Sequence, residues 1–172
     1  MTQIRTQQLL ALLDEGFQRA AWHGPNLRSA LRGVTWQQAR WRPTVGAHNI
    51  WELAVHTAYW KYVVRRRLLG ETGRGFPETG RNWFARPSTN QKRASDRVAP
   101  QKAWKRDMAL LVGVHRELRA TVAPLDDMTL DQPARGSRQT PAQIITGIAL
   151  HDVYHAGQIQ LLKRLYAKRR GA

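Results

Sequence analysis

Thr140-Pro-Ala-Gln-Ile-Ile-Thr-Gly-Ile-Ala-Leu-His151-Asp-Val-Tyr-His155-Ala-Gly-Gln-Ile-Gln-Leu-Leu-Lys163 decides how this chain is read. It opens on a helix start. A threonine oxygen can accept a free N–H of the first turn, and the proline behind it fills the first helical position, where its missing N–H costs nothing. At 100° per residue, Ile144, Ile148, His151, His155, Gln158 and Leu162 fall on one stripe, with Asp152 and Lys163 at its flanks. The stripe is the expected core face, so both histidines point inward. Four residues apart, they lie one above the other. Two neutral imidazoles in that geometry can bind one divalent metal ion.

Three further segments carry helical periodicity. The first runs from about Thr6 to Trp22, with Leu9, Leu10, Leu13, Phe17 and Ala20 as its stripe and Gly24-Pro25 as its end. The second runs from about His48 to Leu69 and stops at Gly70; the third covers Pro100 to Val122 and is closed by Pro124. Leu27 to Leu31 and Thr35 to Ala39 read as short turns between the first two. Gly70 to Ala94, about 25 residues, is too long for a hairpin between antiparallel neighbours and fits a crossover connection. Trp83-Phe84 within it predicts that the connection packs against the bundle. No segment alternates as a strand. The expectation is an all-α, four-helix bundle with a long crossover loop between helices two and three.

With 172 residues, one domain over 1–172 is the simplest organisation, with a basic tail fraying from about Lys168. No cysteine is present, which removes disulfides, thiolate ligands and a cysteine nucleophile and leaves His, Asp and Glu for metal chemistry. The N-terminal stretch has no continuous apolar run or cleavage site of a signal peptide. The longest apolar run, Met108 to Val114, is far too short to span a bilayer. A soluble cytoplasmic protein with no membrane partner is expected. The balance of 28 Lys+Arg against 12 Asp+Glu, a net +16, favours anionic partners. The basic residues are scattered, however, among them Arg65-Arg66-Arg67, Lys92-Arg93 and Lys168-Arg169-Arg170. No nucleic-acid motif accompanies them, so no specific nucleic-acid partner is expected.

In helix two, Thr57, Lys61 and Arg65 mark the expected solvent face. His48, Glu52, His56, Tyr59 and Val63 mark the opposite one. His56 is therefore the candidate third metal ligand beside His151 and His155. Three histidines from two facing helices, leaving one coordination position open, match a catalytic rather than a structural site. The bland alternative is that each is a core histidine satisfied by a hydrogen bond. Glu52, a carboxylate on the buried face, pairs with an arginine in one reading. In another it hydrogen-bonds a ligand histidine, or serves as the base that takes a proton from bound water or thiol. His48 reads as a helix-start residue, or as a contact to a ligand histidine or substrate; His115 as part of the stripe of helix three; His23 as a turn residue; and Tyr154 as packing, although it and Tyr59 could reach the cavity.

Ala47-His-Asn-Ile-Trp-Glu-Leu-Ala-Val-His56 and its continuation to Gly70, Asn82-Trp83, Ala103-Trp104 with His115, and His151 to Lys163 together resemble the DinB/YfiT-like superfamily over most of the chain. The resemblance implies an up-down-down-up bundle, with a divalent metal held by one histidine of helix two and the histidine pair of helix four. Here those positions are His56, His151 and His155. Members of that superfamily are often homodimers. Some are thiol-dependent enzymes using mycothiol, bacillithiol or glutathione; others are described as hydrolases.

The functional expectation is a metal-dependent enzyme with a small-molecule substrate. Its three-histidine site would hold zinc, nickel, iron or manganese. It would activate a low-molecular-weight thiol, as in an S-transferase or isomerase, or water, as in a hydrolase. The alternative is a non-catalytic metal-binding stress-response protein whose basic surface meets an anionic partner. Because the chain has no cysteine, any thiol must be imported.

Overall fold

A computed structural model describes residues 3–73, 75–86, 99–133 and 138–169. Among the described residues, six α-helices form: α1 Ile4–Phe17, α2 Leu27–Leu31, α3 Trp36–Ala39, α4 Ile50–Leu69, α5 Pro100–Val122 and α6 Pro141–Lys168, with a 3₁₀ turn at Thr129–Asp131. Among the described residues the only β pairing is an isolated bridge between Ala21 and Gly24. No helix among them is long and apolar enough to cross a membrane.

Local chemistry sets the ends. The Asn49 side chain accepts the Glu52 N–H, and the Glu52 carboxylate returns to the Asn49 N–H, closing a capping box at the start of α4. Gly70 ends α4 in the left-handed region (φ 66°), its N–H bonded to the carbonyls of Arg66 and Arg67. Thr140 and Gln143 make the same box at α6, with Pro141 behind the cap.

The four long helices are α1, α4, α5 and α6, and their side-chain pairs give the directions. Trp51 donates to Asp107 near the start of α4 and α5, while Arg65 pairs with Glu117 further along both, so these two run parallel. His56 meets His151 and Lys61 meets Asp152, and Leu53 shares a cluster with Leu162, so α6 runs against α4. Thr6 bonds the Leu125 carbonyl while Arg119 pairs with Asp14, so α1 runs against α5. The result is an up-down-down-up bundle. Its core divides into a cluster around Trp51, Trp104, Phe17 and Ile159 and another around Leu13, Leu118, Ile145 and Ile148.

Four expectations are corrected. The first helix stops at Phe17 rather than Trp22. The N–H groups of Gln18 and Arg19 both turn back to the Asp14 carbonyl, Asn26 takes the Arg19 carbonyl, and Ala20 and Trp22 lie exposed. Thr57 and Lys61 are not on a solvent face. Both are fully buried, Thr57 donating to the Ala54 carbonyl and Lys61 to Asp152. Asp152, placed at the flank of α6, is fully buried as well. Tyr154 is 63% exposed rather than packed in the core, its ring lying edge-on to His155 with centroids 5.0 Å apart.

Of the crossover connection, 70–73 and 75–86 are described, and Phe84 is buried against the bundle as its sequence suggests. Arg86 ties the segment down through Asp107 at 2.8 Å. Lys92-Arg93 and Arg170 lie outside the described residues.

Candidate metal centre

His56 sits in the second turn of α4; His151 and His155 face it from one turn of α6. The antiparallel packing of the two helices brings all three rings together. The Nε2 atom of His151 is 3.1 Å from Nε2 of His56 and 3.1 Å from Nε2 of His155. Each residue offers a nitrogen, and these nitrogens all lie within 4.8 Å of one another. Bonds of about 2.0–2.1 Å at tetrahedral angles around a zinc ion would separate neighbouring nitrogens by about 3.3 Å.

The proton inventory supports the same conclusion. His56 Nδ1–H donates to the Asn82 carbonyl at 2.9 Å, and His155 Nδ1–H donates to Gln158 Oε1 at 2.7 Å. Both rings therefore present a bare Nε2 lone pair. A neutral His151 could give its single proton to only one of them, and its Nδ1 is buried without a hydrogen-bond partner. Converging lone pairs with too few protons are what a cation satisfies. Burial pushes His56 down to about 4 and His151 down to about 3, and it lowers His155 as well, so all three are neutral near pH 7 and available as ligands. The residues present fit a divalent metal.

The orientation of His56 depends on the segment 82–83. Trp83 stacks on His56 (centroids 3.9 Å apart, planes at 10°) and on His48 (3.6 Å, 9°). Two rings at such distances cannot share one face of an indole, so Trp83 lies between the two imidazoles. Asn82 holds a left-handed backbone (φ 64°), and its Oδ1 accepts the Trp60 indole N–H at 2.9 Å. Its carbonyl is thereby aimed at His56. The sequence marked Asn82-Trp83 as a motif but could not tell that one residue supplies a hydrogen bond and the other a stacking face to the same ligand.

Glu52 is on the buried face, as expected, and its carboxylate is occupied. Both oxygens accept from the Arg42 guanidinium, His48 Nδ1 lies 3.1 Å from Oε2, and the Asn49 and Arg86 N–H groups complete the set. Burial alone would raise its pKa; the bonds from Arg42 and His48 outweigh that and hold it below the usual carboxylate range. Arg42, in the turn before α4, was not singled out from the sequence.

His115 is buried but lies away from the trio. It stacks on Phe17 with centroids 3.9 Å apart. His48 precedes the N-cap of α4, and His23 is exposed in the turn after α1.

Comparison with known families bears on the same residues. The family model of the DinB superfamily matches residues 19–159, a span that includes His56, His151 and His155. The chain belongs to the DinB superfamily. No curated protein and no solved structure matches it. All three histidines of the candidate centre lie within the matched span, on the two helices that face each other.

Proposed function

We propose that this DinB-superfamily protein is a metal-dependent enzyme. His56, His151 and His155 hold a divalent transition metal such as zinc, nickel, iron or manganese, with a position left open for a thiol or water. The observation that carries the reading is the convergence of three Nε2 atoms, two of them on rings whose Nδ1–H is already committed to an oxygen. A bound divalent cation would lower the pKa of a thiol or water at the open position, giving S-transferase or isomerase chemistry in the first case and hydrolysis in the second. The protein's own part is to fix the three rings, keep them neutral and shape the approach. Glu52, expected as a base, acts in this reading through Arg42 and His48 as a positioning residue. Its lone pairs face donors that are already in place.

The test is elemental analysis of wild type and His151→Ala, purified side by side without a His-tag or metal column, then assay of thiol consumption with a chlorodinitroaryl probe. Near one equivalent of metal, lost in the variant, with metal-dependent conjugation or hydrolysis, supports the enzyme. Metal without turnover across thiols, joined to salt-sensitive polyanion binding, favours the non-catalytic stress-response protein that the +16 charge also allows. No metal after incubation with zinc, nickel or manganese salts removes the site.

A further inference from the structure

A slot of about 300 Å³ lies against the candidate centre, with His155 in its wall. It is bounded by residues 43–48 before α4, by Trp83 and by α6. The chain carries 28 Lys+Arg and 12 Asp+Glu, yet none of the described residues lining the slot is Asp, Glu, Lys or Arg. Leu53, Leu161 and Leu162 supply aliphatic wall, and Trp83 and Tyr154 supply aromatic wall. The Gln158 carbonyl oxygen is spent on His155. Tyr154 and Leu161 are 63% and 55% exposed, which leaves the mouth accessible.

The charge lies elsewhere. A larger groove of about 740 Å³ between α1, α2 and α5 is rimmed by Arg28, Arg32 and Arg116, and it contains none of the three histidines. Beside the centre, by contrast, an anionic group entering the slot would give up water and find no lysine or arginine among the described wall residues, and the metal held at the His155 end would be its one strong cationic partner there. Size sets a second limit. A cavity of about 150 Å³ suffices for benzene, so the slot accommodates one substituted ring and little more.

We infer that the substrate bound beside His155 is a small uncharged molecule, largely apolar and about the size of a substituted aromatic ring. The charged parts of any thiol remain outside the slot. This rests on the metal-enzyme reading above, and it names the substrate class of that site.

The test is a saturation-transfer NMR titration of metal-loaded protein with nitrobenzene and, in parallel, 4-nitrobenzoate, with metal content measured on the same samples. Wild type is expected to bind nitrobenzene at least tenfold more tightly than 4-nitrobenzoate. Because Leu161 is half exposed, Leu161→Glu and Leu161→Lys should both fold. Leu161→Glu should weaken nitrobenzene binding about tenfold with metal content unchanged, and Leu161→Lys should narrow or reverse the preference against the carboxylate. Equal binding of the two probes, binding of neither, or indifference to both substitutions would overturn the inference. Metal content is read independently. Its absence would remove the enzyme reading, while the selectivity between the probes would still decide the slot.

Discussion

Lys61 and Asp152 form an ion pair with no exposed surface on either side chain, the Lys61 ammonium donating to Asp152 Oδ2 between α4 and α6. The pair lies next to the candidate centre, since Asp152 follows His151 in the chain. Lys61 Nζ also sits 5.0 Å from the Phe17 ring, which links α1 to the same point.

Removing one partner leaves the other charge buried and unpaired, a cost of about 3–5 kcal/mol. Lys61→Met alone and Asp152→Leu alone should each lose about that much in urea denaturation. The double variant should recover most of it, because packed apolar side chains of similar volume replace a buried pair at little net cost. A double variant no more stable than the worse single variant would show that the pair does more than neutralise itself.

This pair also shows where the sequence stops being legible. Apolar spacing, caps and terminators gave α5 and the start of α6 as the structure has them, whereas Leu27–Leu31, read as a short turn, is a helix. The helical period placed His151 and His155 on one face of the last helix and His56 on the inward face of helix two, although the opposite face of helix two, with Thr57 and Lys61, is buried as well. Lys61 and Asp152 were misplaced because a charged residue is ordinarily a mark of solvent. Only a partner 91 residues away makes burial tolerable, and pairing across helices leaves no trace in either helix taken alone. Arg42 and Glu52 show the same limit at shorter range: an arginine partner was a possibility for Glu52 in the sequence, but which arginine depends on how the turn before α4 folds back. The early end of α1 has a different cause. Its period continues to Ala20, but residues 18–20 are exposed, Arg19 turns back to the Asp14 carbonyl and Asn26 takes the Arg19 carbonyl.

The clamp of Asn82 and Trp83 on His56 gives a prediction about affinity rather than stability. Groups that orient a ligand histidine from behind change metal affinity by about 10–100-fold when removed. Trp83→Ala should weaken zinc binding within that range, measured by competition with a chromophoric chelator, while the helical circular dichroism is retained. Asn82→Gly keeps the left-handed backbone and its carbonyl, so it should cost less than Asn82→Ala, which strains the turn that aims the carbonyl. If all three variants bind zinc as wild type does, the segment does not orient His56.

Close approach of α1 and α6 predicts opposite signs for two glycine substitutions. A Cβ on Gly16 would lie 2.7 Å from the Ala149 carbonyl oxygen, and backbone cannot rotate away as a side chain can. Alanine gains about 1 kcal/mol in helix propensity, but overpacking a well-filled interface costs about 1–3 kcal/mol. Gly16→Ala should therefore lower Tm, by about 2–4 °C for each kcal/mol of net loss. Gly113, on α5, has nothing within 4 Å of the same position. Gly113→Ala should raise Tm. A Gly16→Ala protein as stable as wild type would mean that the helices can separate freely there.

His115 predicts how stability responds to acid. Burial, followed by the nearby charges of Lys61 and Arg119, pushes its pKa from 6.5 to about 3, and both ring nitrogens lack a hydrogen-bond partner. The Asp14 carboxylate lies 3.7 Å away and does not offset these effects. The unfolded chain therefore takes up this proton first. The stability contributed by the neutral ring is complete above about 6.5 and is lost progressively as the pH falls towards about 3. One proton corresponds to about 1.4 kcal/mol per pH unit, or about 2 kcal/mol between pH 6.5 and 5. In His115→Leu that share disappears. The three site histidines titrate in both proteins and cancel in the comparison. Urea denaturation at pH 7.5 and pH 5 should then show wild type losing about 2 kcal/mol more than the variant. Equal losses in the two proteins would mean that His115 reaches solvent in the folded state and that its burial against Phe17 is not what makes the bundle sensitive to acid.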